Sequence, residues 1–144
     1  MEVPEGFAPA VFLRPVPFIE LIGPTFLRYG EAGIDAGAWI TEANRNGGQM
    51  AHGAFLLALA DMATGRLATV TAGPGYSAVH ISLGMEFFAP APLGAWVEAR
   101  ARLDRKGTSI IFCGCDFYVG TEKIGRATAV LKTIRIKAGM LPEG

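Results

Sequence analysis

Between Gly53 and Gly65 the sequence GAFLLALADMATG carries one ionisable side chain, Asp61. Phe55, Leu56, Leu57, Leu59, Met62 and Ala63 surround it on every side of a helical wheel, and a helix apolar all round is a buried one. The pattern predicts an enclosed carboxylate. Its neighbours three and four positions away, Leu57, Ala58, Thr64 and Gly65, include no Lys or Arg, so the helix itself offers no ionic partner. A charge so placed is costly unless compensated. Either a group distant in sequence, backbone or the Thr64 hydroxyl satisfies Asp61, or the acid is kept for chemistry as a general base or a nucleophile.

Other chemistry-bearing residues are few. His52 stands just before the helix, where histidine commonly caps or packs, and His80 alternates with apolar residues in a predicted strand; they are the only two histidines. Cys113 and Cys115 sit two apart in another predicted strand and share a face, which reads as two small buried hydrophobes. No ligand spacing supports zinc, so no metal and no resident cofactor is expected. Asn46 and Gln49 belong to the polar loop 44–51 that feeds the helix, and Asn46 beside Gly47-Gly48 suits a turn.

The elements that must position these residues follow from periodicity. Residues 1–17 hold Pro4, Pro9, Pro15 and Pro17 without a sustained pattern and read as an arm. A short helix begins at Phe18 and stops at Gly23-Pro24. Strands are expected at 25–29 and 34–41, the long helix at 52–70, and further strands at 77–88, 94–105, 108–119 and 123–136. In the strand at 77–88, Val79, Ile81, Leu83, Met85 and Phe87 fall on one face and His80, Ser82, Gly84 and Glu86 on the other. The tail, 137–144, has no pattern. The 144 residues fit a single α+β domain, an antiparallel sheet of five to six strands around one helix.

These residues resemble the acyl-CoA thioesterases of the hotdog fold, in particular the phenylacetate-degradation (PaaI-like) type. The likeness rests on Asn46, five residues, His52-Gly53, then seven residues to Asp61, and on the strand ending Phe87-x-x-Pro90; it spans roughly residues 18–136. Ala54 stands where the family has a second glycine, but the family's catalytic amide is that of the first, here Gly53. Many relatives carry a Ser or Thr after the helix. Counting back from Pro90 places that position at His80, and counting forward from the helix places it at Ser77.

The resemblance implies hydrolysis of an acyl-CoA to free acid and CoA, with Gly53 polarising the carbonyl, Asp61 as general base or nucleophile, and Asn46 orienting water. Gln49 is a substitute for Asn46, and His52 shapes the loop. The physics agrees at Gly53, because the first turn of a helix has unpaired N–H groups and a positive dipole, and glycine permits close approach. Eight residues at 1.5 Å rise separate Gly53 from Asp61 by about 12 Å, too far for one carbonyl to touch both. Antiparallel helices across a two-fold bring Gly53 of one chain to Asp61 of another. The family is a homodimer with shared sites, and a dimer of dimers is expected.

Composition narrows the partners. Residues 1–93 hold four Lys/Arg against eight Asp/Glu, and residues 94–144 nine against five. That excess is too weak for a nucleic-acid reader but suits the phosphates of CoA. Arg100, Arg102, Arg105, Lys106, Lys123 and Arg126 are candidates, with Arg105-Lys106 at a hairpin tip foremost; His80 is a weaker candidate for lining the cleft. Trp39, Phe55, Phe87, Phe88 and Trp96 are candidates for an acyl pocket or ordinary core. Apolar runs are interrupted before the roughly 18 residues a membrane requires, and the acidic N-terminus is unlike a signal peptide; a cytoplasmic, membrane-free protein is expected. The alternatives are a non-catalytic acyl-CoA-binding hotdog module, and a dehydratase, for which the His-Phe-Pro-Gly run is missing.

Overall fold

The computed structural model describes residues 1–137. In chain order the elements are β1 (Ala8–Pro9), α1 (Pro17–Leu21), β2 (Phe26–Tyr29), β3 (Ile34–Trp39), α2 (Gly53–Ala72), β4 (Tyr76–Phe87), β5 (Trp96–Lys106), β6 (Ile110–Val119) and β7 (Glu122–Arg135). One antiparallel sheet of seven strands, ordered β1-β2-β3-β5-β6-β7-β4, wraps the single long helix. The strand beyond the expected six is β1, two residues of the proline-containing arm paired to β2. The tail beyond residue 137 lies outside the described residues.

Small side chains make the sheet a floor for the helix. Ile34, Ala101, Cys115, Ala127 and Met85 form one row across β3, β5, β6, β7 and β4. Ala101, Cys115 and Ala127 are buried with almost no exposure. On the helix, Phe55, Leu56, Leu59, Met62, Ala63 and Leu67 fill the space above them. Each large apolar side chain so buried contributes about 1.5–3 kcal/mol. Gly73, at φ 89°, ends α2, its N–H bonded to the Thr69 carbonyl at 3.3 Å; that left-handed conformation favours glycine.

By length and composition α2 is apolar enough to cross a membrane, with 20 residues and a mean hydropathy of 1.3. This corrects the expectation that interruptions leave every apolar run too short, because Asp61 and Arg66 do not offset the rest. Of the 18-residue window, 56% is buried inside the protein, as befits a core helix.

Strand β4 also departs from strict alternation. Its pairing with β7 shifts between His80 and Ser82, so Ile81 is an extra residue of a β-bulge, which re-aims the side chains on either side. The five apolar residues expected on one face are split. Val79, Ile81 and Phe87 are exposed, whereas Leu83 and Met85 pack on the core. Ala78 packs on the core as well, and His80 turns toward α2.

Candidate active site

The loop before α2 is closed by its own polar atoms. Buried Asn44 donates its amide to the Ile22 and Trp39 carbonyls at 3.2 and 3.1 Å and accepts from Thr41 N–H at 2.8 Å. Asn46 Oδ1 accepts from Gly48 and Met50 N–H at 2.8 and 3.2 Å. Exposed Gln49 is the sole non-glycine residue at positive φ among the described residues, 63°, and its carbonyl accepts from Leu93 N–H at 2.9 Å. His52 is the N-cap: Nδ1 accepts from Ala54 N–H at 3.0 Å, which leaves the proton of a neutral ring on Nε2.

Gly53 opens the helix directly after this cap, and among the described residues its N–H takes no acceptor. An added Cβ on Gly53 would sit 3.2 Å from Phe87 Cζ, so the ring of β4 flanks the amide. The free donor lies at the positive end of a 20-residue helix, where partial negative charge on an approaching oxygen is stabilised.

Asp61 is not enclosed by its own chain. Its side chain is 59% exposed, and the expectation of burial fails because α2 turns a face that runs from Ala54 through Leu57, Asp61 and Gly65 to Thr69 toward an open cleft. Nor is it unpartnered: His80 Nδ1 lies 3.2 Å from Asp61 Oδ2. The other ring nitrogen, Nε2, is 2.9 Å from Thr64 Oγ1, which donates to the Ala60 carbonyl at 2.7 Å. Gly65 makes room, since a Cβ there would meet His80 Cε1 at 3.3 Å. The missing partner on the helix was the signal that one must come from elsewhere.

The cleft encloses about 700 Å³ between α2, β4 and residues 12–19. Phe12, Leu13, Val16, Leu57 and Met62 make it mainly apolar, and its ionisable residues are Asp61, Arg66 and His80. Ser77 lines it too, but His80 is the one that touches Asp61. Arg66 is a cleft residue the sequence reading missed; it donates to the Val11 carbonyl at 2.8 Å and ties the arm to α2. Asn46, Gln49, His52 and Gly53 are absent from the lining, although Ala54, the residue after Gly53, belongs to it.

Several other candidates lie elsewhere. Trp39 and Trp96 meet edge to face with ring centroids 5.2 Å apart, Phe7 and Phe26 lie against Trp96, and Phe55 is buried in the core; none lines the cleft. Phe88 is exposed beside Arg126. Arg100 pairs with Glu98, Arg102 and Lys123 with Asp116, and Arg126 with Glu86. Burial works to raise the Asp116 carboxyl, but Lys123 and Arg102 together outweigh it and hold the carboxyl below the usual range. Arg105 and Lys106, exposed at the end of β5, form no ion pair among the described residues. Cys113 and Cys115 are buried free thiols. No cluster of metal-ligating side chains occurs among the described residues.

Comparison with known proteins agrees with this architecture. Residues 48–130 match the thioesterase superfamily. A Pseudomonas aeruginosa protein that carries an esterase name, PA0474, is 31% identical over 131 residues, 90% of this chain and 96% of its own. A mutant of the phenylacetic acid degradation protein PaaI from Thermus thermophilus is 29% identical, with TM-score 0.71 over 84% of this chain and all of that one. The protein smu.793 from Streptococcus mutans, bound to acetyl CoA, shares the fold at 15% identity, with TM-score 0.68 over 95% of both chains.

Proposed function

Since this chain belongs to the thioesterase superfamily and is a PaaI-like hotdog hydrolase, we propose that it hydrolyses an acyl-CoA thioester at a site formed by two chains, with Asp61 as general base and Gly53 N–H as the oxyanion donor. The observation that carries this reading is a solvent-open carboxylate, held on one oxygen, in an apolar cleft beside the core helix. The acetyl CoA bound to the Streptococcus mutans protein supports CoA as the carrier. The apolar lining suits an apolar acyl group. Of the six basic candidates Arg100, Arg102, Arg105, Lys106, Lys123 and Arg126, Arg105 and Lys106 are the two without an ion pair among the described residues, which supports them as contacts for CoA phosphate.

The two-chain reading rests on spacing and on β4. Gly53 and Asp61 are about 12 Å apart along the helix. Strand β4 is a sheet edge of 12 residues whose exposed Val79 and Ile81 have no cover, and a long apolar edge is a template for pairing. A two-fold through this edge places two copies of α2 side by side and the Gly53 of one chain near the Asp61 of its partner.

In that arrangement Asp61 takes a proton from water as the water oxygen bonds to the thioester carbon. The carbonyl oxygen gains charge against Gly53 N–H. The C–S bond then breaks, the sulfur leaves as thiol with the proton from Asp61, and the acyl group departs as the acid. Thiol release from a panel of acyl-CoAs tests this. The Asp61→Asn variant is expected to lose about 10²–10⁴-fold in kcat, the range for a general base. Full turnover by Asp61→Asn overturns the mechanism, and binding without turnover by the parent overturns the activity.

A further inference from the structure

The contact between Asp61 and His80 has to be read by counting hydrogens. The Thr64 hydroxyl lies 2.7 Å from the Ala60 carbonyl and 2.9 Å from His80 Nε2. A hydroxyl has one hydrogen and a carbonyl only accepts, so Thr64 donates to Ala60 and accepts from the ring. Nε2 therefore carries a hydrogen. On the opposite side, Nδ1 stands 3.2 Å from Asp61 Oδ2. A neutral imidazole protonated at Nε2 offers Nδ1 only as a lone pair, and a lone pair facing a carboxylate repels it. A further proton must lie between the two groups.

Its place follows from chemistry and exposure. Imidazole is a stronger base than a carboxylate. Asp61 is also the more exposed partner, 59% against 19% for His80, so water sustains its charge better. Arg66 is the one other ionisable residue lining the cleft, and its guanidinium is engaged with the Val11 carbonyl. From the sheet, β7 sets uncharged Leu131 opposite His80. No second acid among the cleft-lining residues competes for the ring.

We infer that His80 stands as an imidazolium donating from both ring nitrogens, and is the positioning residue that holds Asp61 as a carboxylate with Oδ1 free for the reaction. Oδ1 takes no partner among the described residues. Three separate features build the arrangement. The bulge at Ile81 turns His80 inward, Gly65 leaves room for the ring, and fully buried Thr64 anchors it from the core helix. Fixing one carboxylate oxygen removes rotamer freedom that a half-exposed Asp otherwise keeps, which is the preorganisation a reacting group requires.

This inference rests on Asp61 being the reacting acid, so its test has a readout that needs no activity. The chain has two histidines, and ¹⁵N-histidine labelling with a His52→Ala control assigns the ring signals. At pH 7 both ring nitrogens of His80 are expected to carry hydrogen in the parent. In Asp61→Asn the side-chain amide donates to Nδ1, and the extra proton is expected to be gone. A bare Nδ1 in the parent overturns the inference.

The kinetic counterpart is His80→Ala. It is expected to lower kcat by about 10–100-fold, the loss usual when a partner that orients a reacting or ligating group is removed. KM is expected to stay within about twofold, because a positioning role acts on the transition state. An unchanged kcat overturns the inference. If Asp61→Asn turns over fully while the ring is doubly protonated, the thioesterase mechanism fails and the ring assignment stands. A neutral ring with an inactive Asp61→Asn has the opposite meaning.

Discussion

At the first turn of α2 the polar side chains close on the chain around them: Asn46 on Gly48 and Met50, His52 on Ala54. What is left over is a backbone atom, the Gly53 N–H. Two turns later the polar atoms reach outward instead, from Thr64 through His80 to Asp61, and what is left over is a side-chain atom, Asp61 Oδ1. Local bonds shape the first region, and a strand that follows in sequence but packs from the side completes the second. Side-chain substitutions at the first should therefore act mainly through backbone geometry and stability, whereas loss of either leftover group, the Gly53 N–H or the Asp61 carboxylate, should act through rate.

The strongest way to break this contrast is to delete the leftover backbone donor alone. Gly53→Pro removes one N–H at the first helical position, where proline is tolerated. His52 already has the extended backbone, φ −68° and ψ 135°, that a residue before proline prefers. Activity is expected to fall about 10²–10³-fold, as for loss of one oxyanion donor, with helix content by circular dichroism retained. Gly53→Ala keeps the N–H and adds only a Cβ at 3.2 Å from the Phe87 ring, so it should lose much less. Equal loss in both variants makes crowding, not the donor, the cause.

Mixing sharpens the comparison by asking whether the two leftovers meet across chains. Gly53→Pro and Asp61→Asn, each nearly inactive, are co-refolded in equal amounts. If dimers form at random, half are mixed, and each mixed dimer has one site without either defect, so about a quarter of the parent's activity should return. No recovery places Gly53 and Asp61 of a single chain in one site, against the separation seen along α2.

Smaller effects separate structure from rate. His52→Ala leaves the Ala54 N–H uncapped and is expected to cost about 1 kcal/mol in urea denaturation, while His52→Asn, itself a good cap, keeps most of that stability. A large loss of kcat with unchanged stability would move His52 out of the structural region. At the sheet floor, burial, aided by the Asp104 charge, pushes the Cys113 thiol from 9.0 up to about 11. The folded state thus holds this proton more tightly than the unfolded chain. Its stabilising share is complete below 9.0 and is lost as pH rises through about 11. Burial raises Cys115 as well, so Cys113→Ala should reduce the alkaline decline seen in thermal melts, not abolish it.

The amino-acid sequence alone determined the helix and the order of the main strands. Helix 52–70 was expected and Gly53–Ala72 is observed; the strand expected at 108–119 is Ile110–Val119. Apolar periodicity and Gly/Pro punctuation are local signals that survive without knowledge of the neighbours. The same local reading picked out Asp61, because an acid without an i±3 or i±4 partner is visible in one dimension.

Only the tertiary structure decided what surrounds that acid. Strand β1 is two residues long, too short for any periodicity. The bulge at Ile81 exists as a mismatch in register between β4 and β7, more than forty positions apart, and it alone turns His80 from the mixed face of the strand toward α2. Asp61 looked enclosed because a helical wheel counts the side chains on one helix and not the gap beside it. Burial and partnership are properties of the packed surfaces, so an open carboxylate paired with a strand histidine was decided where helix, bulge and cleft meet.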